Sequence, residues 1–234
     1  MSLGEDLQKE VAQIYADGWD ERDGERVPEA EDLGLGNEGI NLDAAVMYAD
    51  LADSTGLVTN YKYWFAAEVI KAFLHCAAKI IRDCGGTITA YDGDRVMAVW
   101  IGDNKCTATA EAALKLSWAI SNIVEAKAKA RYDKLPSDFA VKYAVGIDTG
   151  KLFIARTGVR GANDLVWIGR AANISAKMSG IRDGSIRTFI TSDVYSRLAD
   201  GSKLDGDGND MWRQFWWEAG KLTLYRTTYW WSLE

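Results

Sequence analysis

The stretch that most restricts the fold is "DAAVMYADLADSTG", residues 43–56, in which a nearly continuous apolar run ends in carboxylates. A short apolar run without alternation is typical of a strand that is buried on both faces of a sheet. Asp50 and Asp53 stand at the end of the run, and a third acid, Asp94, opens another apolar run, "RVMAVWI". The sequence therefore predicts a central strand that presents a carboxylate where it ends.

Helical and strand patterns alternate after this strand. A helix over 60–83 ends at Gly85–Gly86, and two strands are joined across Asp92–Gly93, a dipeptide favoured in type I′ turns. The elements in order are a strand at 43–51, the helix at 60–83, the strands "TITAY" and "RVMAVWI", a helix at about 105–131 and the strand "FAVKYAVGIDTG". This β-α-β-β-α-β order predicts an α+β fold with a ferredoxin-like, or palm, core. Further strands follow towards the C-terminus.

Residues 1–40 differ from the rest of the chain. Leu7, Val11 and Ile14 have helical spacing, and an acidic, Gly-rich segment follows them. We expect an N-terminal helix and an irregular arm over residues 1–40, outside a single domain at residues 41–234.

Charge and composition restrict the partners. The 234 residues carry a net charge of −7, with 34 acids against 27 bases, which argues against nucleic acid as a partner. No apolar run approaches the ~20 residues of a membrane helix, and the N-terminus lacks the features of a signal peptide. The three cysteines show no CxxC spacing and are typical of reduced thiols. We expect a cytoplasmic protein with no membrane partner.

Asp50 and Asp94 are the candidate metal ligands. In the expected topology the first strand lies antiparallel beside the third, so the end of one meets the start of the other. Two such carboxylates repel unless they are protonated or bridged by cations, and oxygen ligands without His or Cys suit Mg²⁺ or Mn²⁺. Two such ions can activate a hydroxyl and neutralise the phosphates that it attacks. The alternative is that Asp50 caps the following turn and Asp94 serves only the hairpin.

The turn "LADSTG" after Asp50 is a candidate phosphate site. Its successive N–H groups can form an anion nest, so we count Leu51, Ser54 and Thr55 as substrate-binding candidates. Ordinary turns with Asx and Ser/Thr caps have the same composition.

Four segments together resemble the class III nucleotidyl cyclases, over about residues 42–230: "VMYADLADST", "GGTITAYDGDRVMAVW", "VGIDTG" and "WIGRAANISAKM". The resemblance implies a homodimer whose active sites are each built from both chains. It also implies two Mg²⁺ or Mn²⁺ ions per site, bound by Asp50 and Asp94, and a nucleoside triphosphate substrate.

The same resemblance assigns roles to three further residues. Asn173 matches the asparagine that orients the ribose. Lys177 stands where the family has an arginine that stabilises the transition state, so the charge is kept but the fork of donors is lost. Lys221 loosely matches a lysine that contacts the triphosphate.

The positions that read the base in purine cyclases hold Ala90 and Val166, neither of which offers a polar side chain. In this respect the chain is similar to the stand-alone pyrimidine cyclases of the Pycsar anti-phage systems. That resemblance implies conversion of UTP or CTP, with UTP favoured, to a 3′,5′-cyclic monophosphate that activates a separate effector protein. Tyr48, on the same strand face as Asp50, either contacts the base or is a buried tyrosine bonded to backbone.

Two alternatives stay open. One is a purine cyclase with an atypical base pocket. The other is an inactive cyclase-like domain that senses nucleotides.

Overall fold

The computed structural model describes residues 2–234. The helices are α1 Leu3–Ala16, α2 Ser54–Asn60, α3 Tyr63–Asp83, α4 Lys105–Ala119, α5 Ala126–Arg131, α6 Arg170–Met178, α7 Ser192–Ser196 and α8 Asp200–Lys203. A π-helical segment, Ile120–Glu125, joins α4 to α5, and a 3₁₀ turn covers Ala30–Asp32.

Nine strands form one sheet. They are β1 Asp20–Asp23, β2 Glu38–Leu51, β3 Thr87–Asp92, β4 Arg95–Trp100, β5 Tyr143–Val159, β6 Ala162–Ile168, β7 Thr188–Thr191, β8 Arg213–Trp217 and β9 Leu222–Thr227. The path through the sheet is β3-β4-β2-β5-β7-β9-β8, with β1 parallel to β2 and β6 antiparallel to β5. The chain order from β2 to β5 confirms the predicted α+β fold with a β-α-β-β-α-β core.

Strand β2 lies at the centre because both of its faces are buried. Met47 faces α3 and α4 in the larger apolar cluster, while Val46 faces the opposite side with Ala171 and Ala172 of α6. Val46, Met47 and both alanines are buried. The continuous apolar run therefore reflects two cores, one on each side of a single strand.

Three boundaries differ from the sequence prediction. The helix expected at 60–83 begins at Tyr63 as α3, after a separate short helix, α2. The strand expected at "FAVKYAVGIDTG" begins only at Tyr143 and continues to Val159 as the 17-residue strand β5. The β3–β4 turn consists of Gly93 and Asp94, not of Asp92 and Gly93. Gly93 has φ of 61° and Asp94 has no positive φ, which matches a type II′ turn with glycine at the first central position rather than type I′.

The N-terminal arm is joined to the sheet. β1 pairs with the start of β2, Leu33 is buried in the cluster on the α6 side, and β2 begins at Glu38, before the boundary drawn after residue 40. Within residues 2–234, the helices are all too short or too polar to cross a lipid bilayer.

Candidate active site

Asp50 and Asp94 lie next to each other at one end of the central strands. Asp50 is opposite Arg95 in β4 and opposite Ala144 in β5. Asp94, in the turn just before β4, accepts a hydrogen bond at its backbone oxygen from the Leu51 amide at 3.4 Å. The antiparallel pairing of β2 with β4 thus puts the two acids side by side.

The electrostatics of this pair favour a cation. Burial, and then the charge of Asp94, raises the pKa of Asp50, whereas Arg182 and Arg95 lower it. The Oδ2 atom of Asp94 is buried and has no hydrogen-bond partner among residues 2–234. A buried carboxylate oxygen without a partner costs free energy unless a donor or a cation meets it. The two side chains therefore fit a hard divalent cation that would lie between them.

Arg182 provides a positive charge next to the pair. Its Nη2 atom lies 3.4 Å from Oδ2 of Asp50, and its Nη1 atom donates to the backbone oxygens of Ser179 and Ile181. The Arg182 side chain is 44% exposed, and that of Asp50 is 20% exposed. A cation that binds Asp50 would meet repulsion from this guanidinium unless the guanidinium turns towards a phosphate.

Tyr48 and Ala90 belong to one cluster on the face of the sheet that also carries α6. The Arg95 guanidinium lies 5.4 Å from the centre of the Tyr48 ring, and burial raises the pKa of the Tyr48 hydroxyl. The backbone bond that we considered for this hydroxyl is not formed with any residue from 2 to 234. Tyr48 thus offers a half-buried donor, two residues before Asp50 on the same strand face.

The turn after Asp50 is the start of a short helix. Asp53 has a left-handed backbone, with φ of 62°, and its carboxylate accepts from the Gly56 amide at 3.2 Å. Asp53, rather than Asp50, is the cap. Ser54 is half-buried and Thr55 is exposed in the first turn of α2, while Leu51 is buried behind them.

Asn173 and Lys177 project from the outer face of α6. Ala171, Ala172, Ser175 and Met178 cover the sheet, whereas Asn173 and Lys177, four residues apart, are exposed on the opposite side. Side chains at this spacing share one helix face. Because that face points away from the sheet that carries Asp50 and Asp94, the structure does not bring the two sets together within one chain.

Helix α6 is fixed on the sheet by buried contacts. The Ser175 hydroxyl accepts from the Asp148 amide at 2.8 Å and donates to the Val46 oxygen at 2.9 Å. Gly146 lies directly beneath the helix, where an added Cβ would come within 2.6 Å of the Met178 Cβ. These contacts set the orientation of Asn173.

The last two candidates lie away from the carboxylate pair. Val166 is exposed on β6, and its side chain faces away from the cluster that holds Tyr48 and Ala90. Lys221 is in the β8–β9 turn, with φ of 50°. Because β5 and β7 lie between β2 and β9, the backbones of Lys221 and Asp50 in the same chain are about three strand spacings, or about 14 Å, apart.

The sequence reasoning missed Arg182 and Arg95. Arg95 directly follows Asp94, and its strand position could have placed it opposite Asp50. Arg182 comes from the loop after α6, 132 residues from Asp50, and no local pattern marks it.

Comparison with known proteins supplies the family. No family model matches the chain. The chain is 44% identical over 236 residues to a uridylate cyclase of Xanthomonas perforans and 45% identical over 235 residues to one of Burkholderia cepacia, and both alignments cover the whole of each chain. A uridylate cyclase of Rhodovulum sp. (strain MB263) is 34% identical, with 98% of each chain covered.

The fold is shared with solved cyclases of low sequence identity. The adenylyl cyclase CyaB from P. aeruginosa aligns with a TM-score of 0.68 at 18% identity, over 81% of this chain and 95% of that one. The guanylyl cyclase Cya2 aligns with a TM-score of 0.66 at 15% identity, over 82% and 94%. The chain therefore belongs to the family of these uridylate cyclases and is a nucleotidyl cyclase with the class III fold.

Proposed function

We propose that this cyclase converts a pyrimidine nucleotide, UTP in preference to the alternative CTP, to the 3′,5′-cyclic monophosphate and pyrophosphate. The observation that carries the proposal is the Asp50–Asp94 pair, in which a partly buried carboxylate with a raised pKa adjoins a buried oxygen without a partner. The relatives of 34–45% identity are all named uridylate cyclase, which supports UTP as the preferred substrate.

Asp50 and Asp94 are the proposed ligands of two Mg²⁺ or Mn²⁺ ions per site. Among residues 2–234 no group of three or more His, Cys, Asp and Glu side chains converges on one point. Phosphate oxygens and water would therefore complete the coordination, as is usual for Mg²⁺. Ions bound there would lower the pKa of the ribose 3′-hydroxyl and neutralise charge on the triphosphate.

The complete site needs two chains. Asn173 and Lys177 face away from the carboxylates of their own chain, so a nucleotide held by Asp50 and Asp94 meets these side chains only from a partner. A two-fold homodimer supplies two such sites, because each chain then gives its carboxylates to one site and its α6 to the other. We assign this work to a catalytic domain at residues 41–234, with residues 1–40 as an extension.

Each residue has a defined part in the reaction. The 3′-oxygen forms a bond to the α-phosphorus, the bond from that phosphorus to the bridging oxygen breaks, and pyrophosphate and a proton leave. Asn173 orients the ribose by hydrogen bonding, and Lys177 stabilises the charge that develops on the α-phosphate. Lys221, which is far from Asp50 in its own chain, would hold the leaving phosphates of a nucleotide bound to the other chain. Ser54 and Thr55 lie where the triphosphate would pass, whereas the amides of Leu51 and Ala52 are not free for it, because they donate to the backbone oxygens of Asp94 and Lys142.

The proposed base pocket selects against purines by offering no matching polar groups. Ala90 and Val166, which face opposite sides of the sheet within one chain, both lack a polar side chain for adenine or guanine, and a site discriminates strongly only where paired polar groups read the base. Tyr48 provides the one half-buried hydroxyl on the face of β2 that carries Asp50.

Incubation of the purified protein with UTP, CTP, ATP and GTP separately, with Mn²⁺ or Mg²⁺, tests the proposal. We expect cyclic UMP as the main product by mass spectrometry and no product from Asp50→Ala or Asp94→Ala. Asp133→Ala, which removes an exposed carboxylate from the α5–β5 loop, is the matched control and should retain activity. Cyclic AMP or cyclic GMP as the main product would contradict the base assignment, and nucleotide binding without any product would indicate a sensing module.

We further propose that the product is a cytoplasmic second messenger for a separate effector protein in defence against phage. The three cysteines are free thiols, which suits a reducing compartment. The test is to compare cyclic UMP in extracts of phage-infected cells that express the wild type or Asp50→Ala. Equal levels in the two cultures, or no rise on infection, would contradict this role.

A further inference from the structure

Asp148 is a carboxylate that lies wholly inside the protein and has no part in the reaction described so far. Its side chain is 0% exposed on β5, where the residue is opposite Val46 of β2. Burial raises the pKa of this carboxyl more than Thr191 and Arg170 lower it. A buried ion pair is weak evidence for stability, because the lost hydration of its charges offsets their attraction. The charge of Asp148 therefore needs a reason other than stability.

Each oxygen of this carboxylate meets a different element. Oδ1 accepts from the Thr191 hydroxyl at 2.6 Å, and the same hydroxyl caps α7 by accepting from the Val194 amide. Oδ2 lies 3.2 Å from Nη1 of Arg170, the first residue of α6. This second contact is a charge pair that is not aligned as a hydrogen bond, since Oδ2 has no hydrogen-bond partner among residues 2–234. Asp148 thus joins β5 to the starts of both helices.

Arg170 opposes the dipole of its own helix. A positive side chain in the first turn is unfavourable, because the N-terminal end of a helix carries a partial positive charge. Helix α6 also lacks a side-chain cap at this end, where its N-cap residue is Gly169. The pair with Asp148 offsets the repulsion and holds the first turn of α6 on the sheet.

A second contact with Asp148 lies further along α6. The Ser175 hydroxyl accepts from the Asp148 amide, five residues and about 7.5 Å along the helix axis from Arg170. A helix held at one point can swivel on a sheet, whereas two separate contacts fix its direction. Asn173 and Lys177 lie on the exposed face of this nine-residue helix, so the two contacts also set where these side chains point.

Asp193 of α7 competes for the same guanidinium. Its Oδ2 atom is also 3.2 Å from Nη1 of Arg170, but the Asp193 side chain is 59% exposed. Water and salt screen an exposed ion pair, which therefore contributes little, whereas a charge in a buried site acts through a lower dielectric constant. The buried carboxylate of Asp148 consequently decides where the Arg170 guanidinium lies.

We propose that Asp148 is a positioning residue, which holds Arg170 and with it the first turn of α6, so that Asn173 and Lys177 meet a nucleotide bound to the other chain. This inference deepens the proposed function and rests on it, because residues of α6 act on the substrate only in a site that two chains share. Asp148 does not contact the nucleotide, since it is fully buried.

The first test is the variant Asp148→Asn, which keeps the size of the side chain and an oxygen for Thr191 but removes the charge that Arg170 meets. We expect kcat with UTP to fall by about 10- to 100-fold, because a small displacement of a positioned group is costly. The midpoint of urea unfolding should stay the same or rise, since a buried charge is lost. The matched control, Asp193→Asn, removes the exposed carboxylate and should keep kcat within about twofold.

Mixed dimers give a readout that a general loss of stability would not produce. In a dimer of one Asp50→Ala chain and one Asn173→Ala chain, the working site takes its α6 from the Asp50→Ala chain. Asp148→Asn is then added to either chain, so both dimers contain one copy of it. We expect activity to fall only when Asp148→Asn is in the Asp50→Ala chain. Equal activity for the two placements would overturn the inference.

Hydrogen exchange separates this inference from the proposed function, because it needs no catalysis. The amides of α6 should exchange about fivefold faster or more in Asp148→Asn than in the wild type or Asp193→Asn. Unchanged exchange, or an equal increase in Asp193→Asn, would overturn the role of Asp148 even if the wild type makes cyclic UMP. Faster exchange only in Asp148→Asn, in a protein that makes no cyclic nucleotide, would support Asp148 as the anchor of α6 and refute the catalytic proposal instead.

Discussion

The Arg182 guanidinium lies 3.4 Å from the Asp50 carboxylate of the same chain, measured from Nη2 to Oδ2. This contact holds a positive charge where a divalent cation would bind. A nucleotide that carries its own metal brings phosphate oxygens, which can attract the guanidinium away from Asp50.

Arg182→Gln should therefore strengthen the binding of Mn²⁺ alone and weaken the binding of pyrophosphate. The pair is partly exposed, so we expect each effect to be only about two- to fivefold. Isothermal titration calorimetry with MnCl₂, and separately with pyrophosphate, measures both. Arg197→Gln makes the same charge change at the exposed residue that follows α7. It should alter neither the affinity for Mn²⁺ nor the affinity for pyrophosphate. Weaker Mn²⁺ binding by Arg182→Gln would show that the guanidinium does not oppose the cation.

Asp50→Asn should stabilise the metal-free protein at neutral pH. Burial and the neighbouring Asp94 raise the pKa of Asp50 above its ordinary value of 3.8, so the ionised form is less favourable in the folded than in the unfolded state. This penalty is absent below pH 3.8 and develops as the pH rises through the folded-state pKa. We expect the free energy of unfolding by urea at pH 7 to be higher for Asp50→Asn than for the wild type.

Added Mn²⁺ should reverse that order. A ligand that binds only the folded state raises its stability, so the melting temperature of the wild type should rise with MnCl₂ and that of Asp50→Asn should not. Equal shifts in the two proteins would contradict the role of Asp50 as a ligand.

Gly146→Ala should displace α6 and lower both activity and stability. The new methyl group would come within 2.6 Å of the Met178 Cβ and 2.8 Å of the Ser179 amide nitrogen, and overpacking of this kind costs about 1–3 kcal/mol. A displacement of about 1 Å in a positioning group can lower kcat by about 100-fold.

Gly201→Ala in α8, where an added Cβ meets no atom within 4 Å, provides the matched control for the same substitution without overpacking. Denaturant unfolding and kcat with UTP measure the two effects of Gly146→Ala. Full activity in that variant would mean that the position of α6 does not limit catalysis.

Tyr48→Phe should lower kcat/KM for UTP by about five- to tenfold, since a single neutral hydrogen bond contributes about 1 kcal/mol. The variant keeps the ring against Arg95 and removes only the hydroxyl. Steady-state kinetics with UTP and with ATP check this prediction. An equal loss with both nucleotides would indicate a structural role for the hydroxyl rather than a contact to the base.

Several parts of the fold follow from pattern alone. The unbroken apolar run of β2 predicted a central strand, because only a strand with a core on each face can bury every residue. The chain order then put Asp50 beside Asp94, since the first and third strands of such a core are antiparallel neighbours. Asn173 and Lys177 came from the family resemblance, and their outward position on α6 agrees with a site that a second chain completes.

Other features carried no signal in the sequence. Strand β1 has the sequence "DERD" and is exposed throughout, so no apolar alternation marks it. The approach of Arg182 to Asp50 depends on the path of a loop 132 residues away. The type of the β3–β4 turn depends on whether Asp92–Gly93 or Gly93–Asp94 forms its centre. Both pairs suit a two-residue turn, the first type I′ and the second type II′, so the sequence did not decide between them.

The most direct test of a site shared between two chains is complementation between inactive variants. Chains carrying Asp50→Ala and Asn173→Ala, with different affinity tags, are co-expressed and purified through both tags, so that every dimer contains one chain of each kind. One site in each mixed dimer then has intact Asp50, Asp94, Asn173 and Lys177, and we predict about half of the wild-type activity per dimer. A mixed dimer as inactive as either variant alone would contradict a site built from two chains.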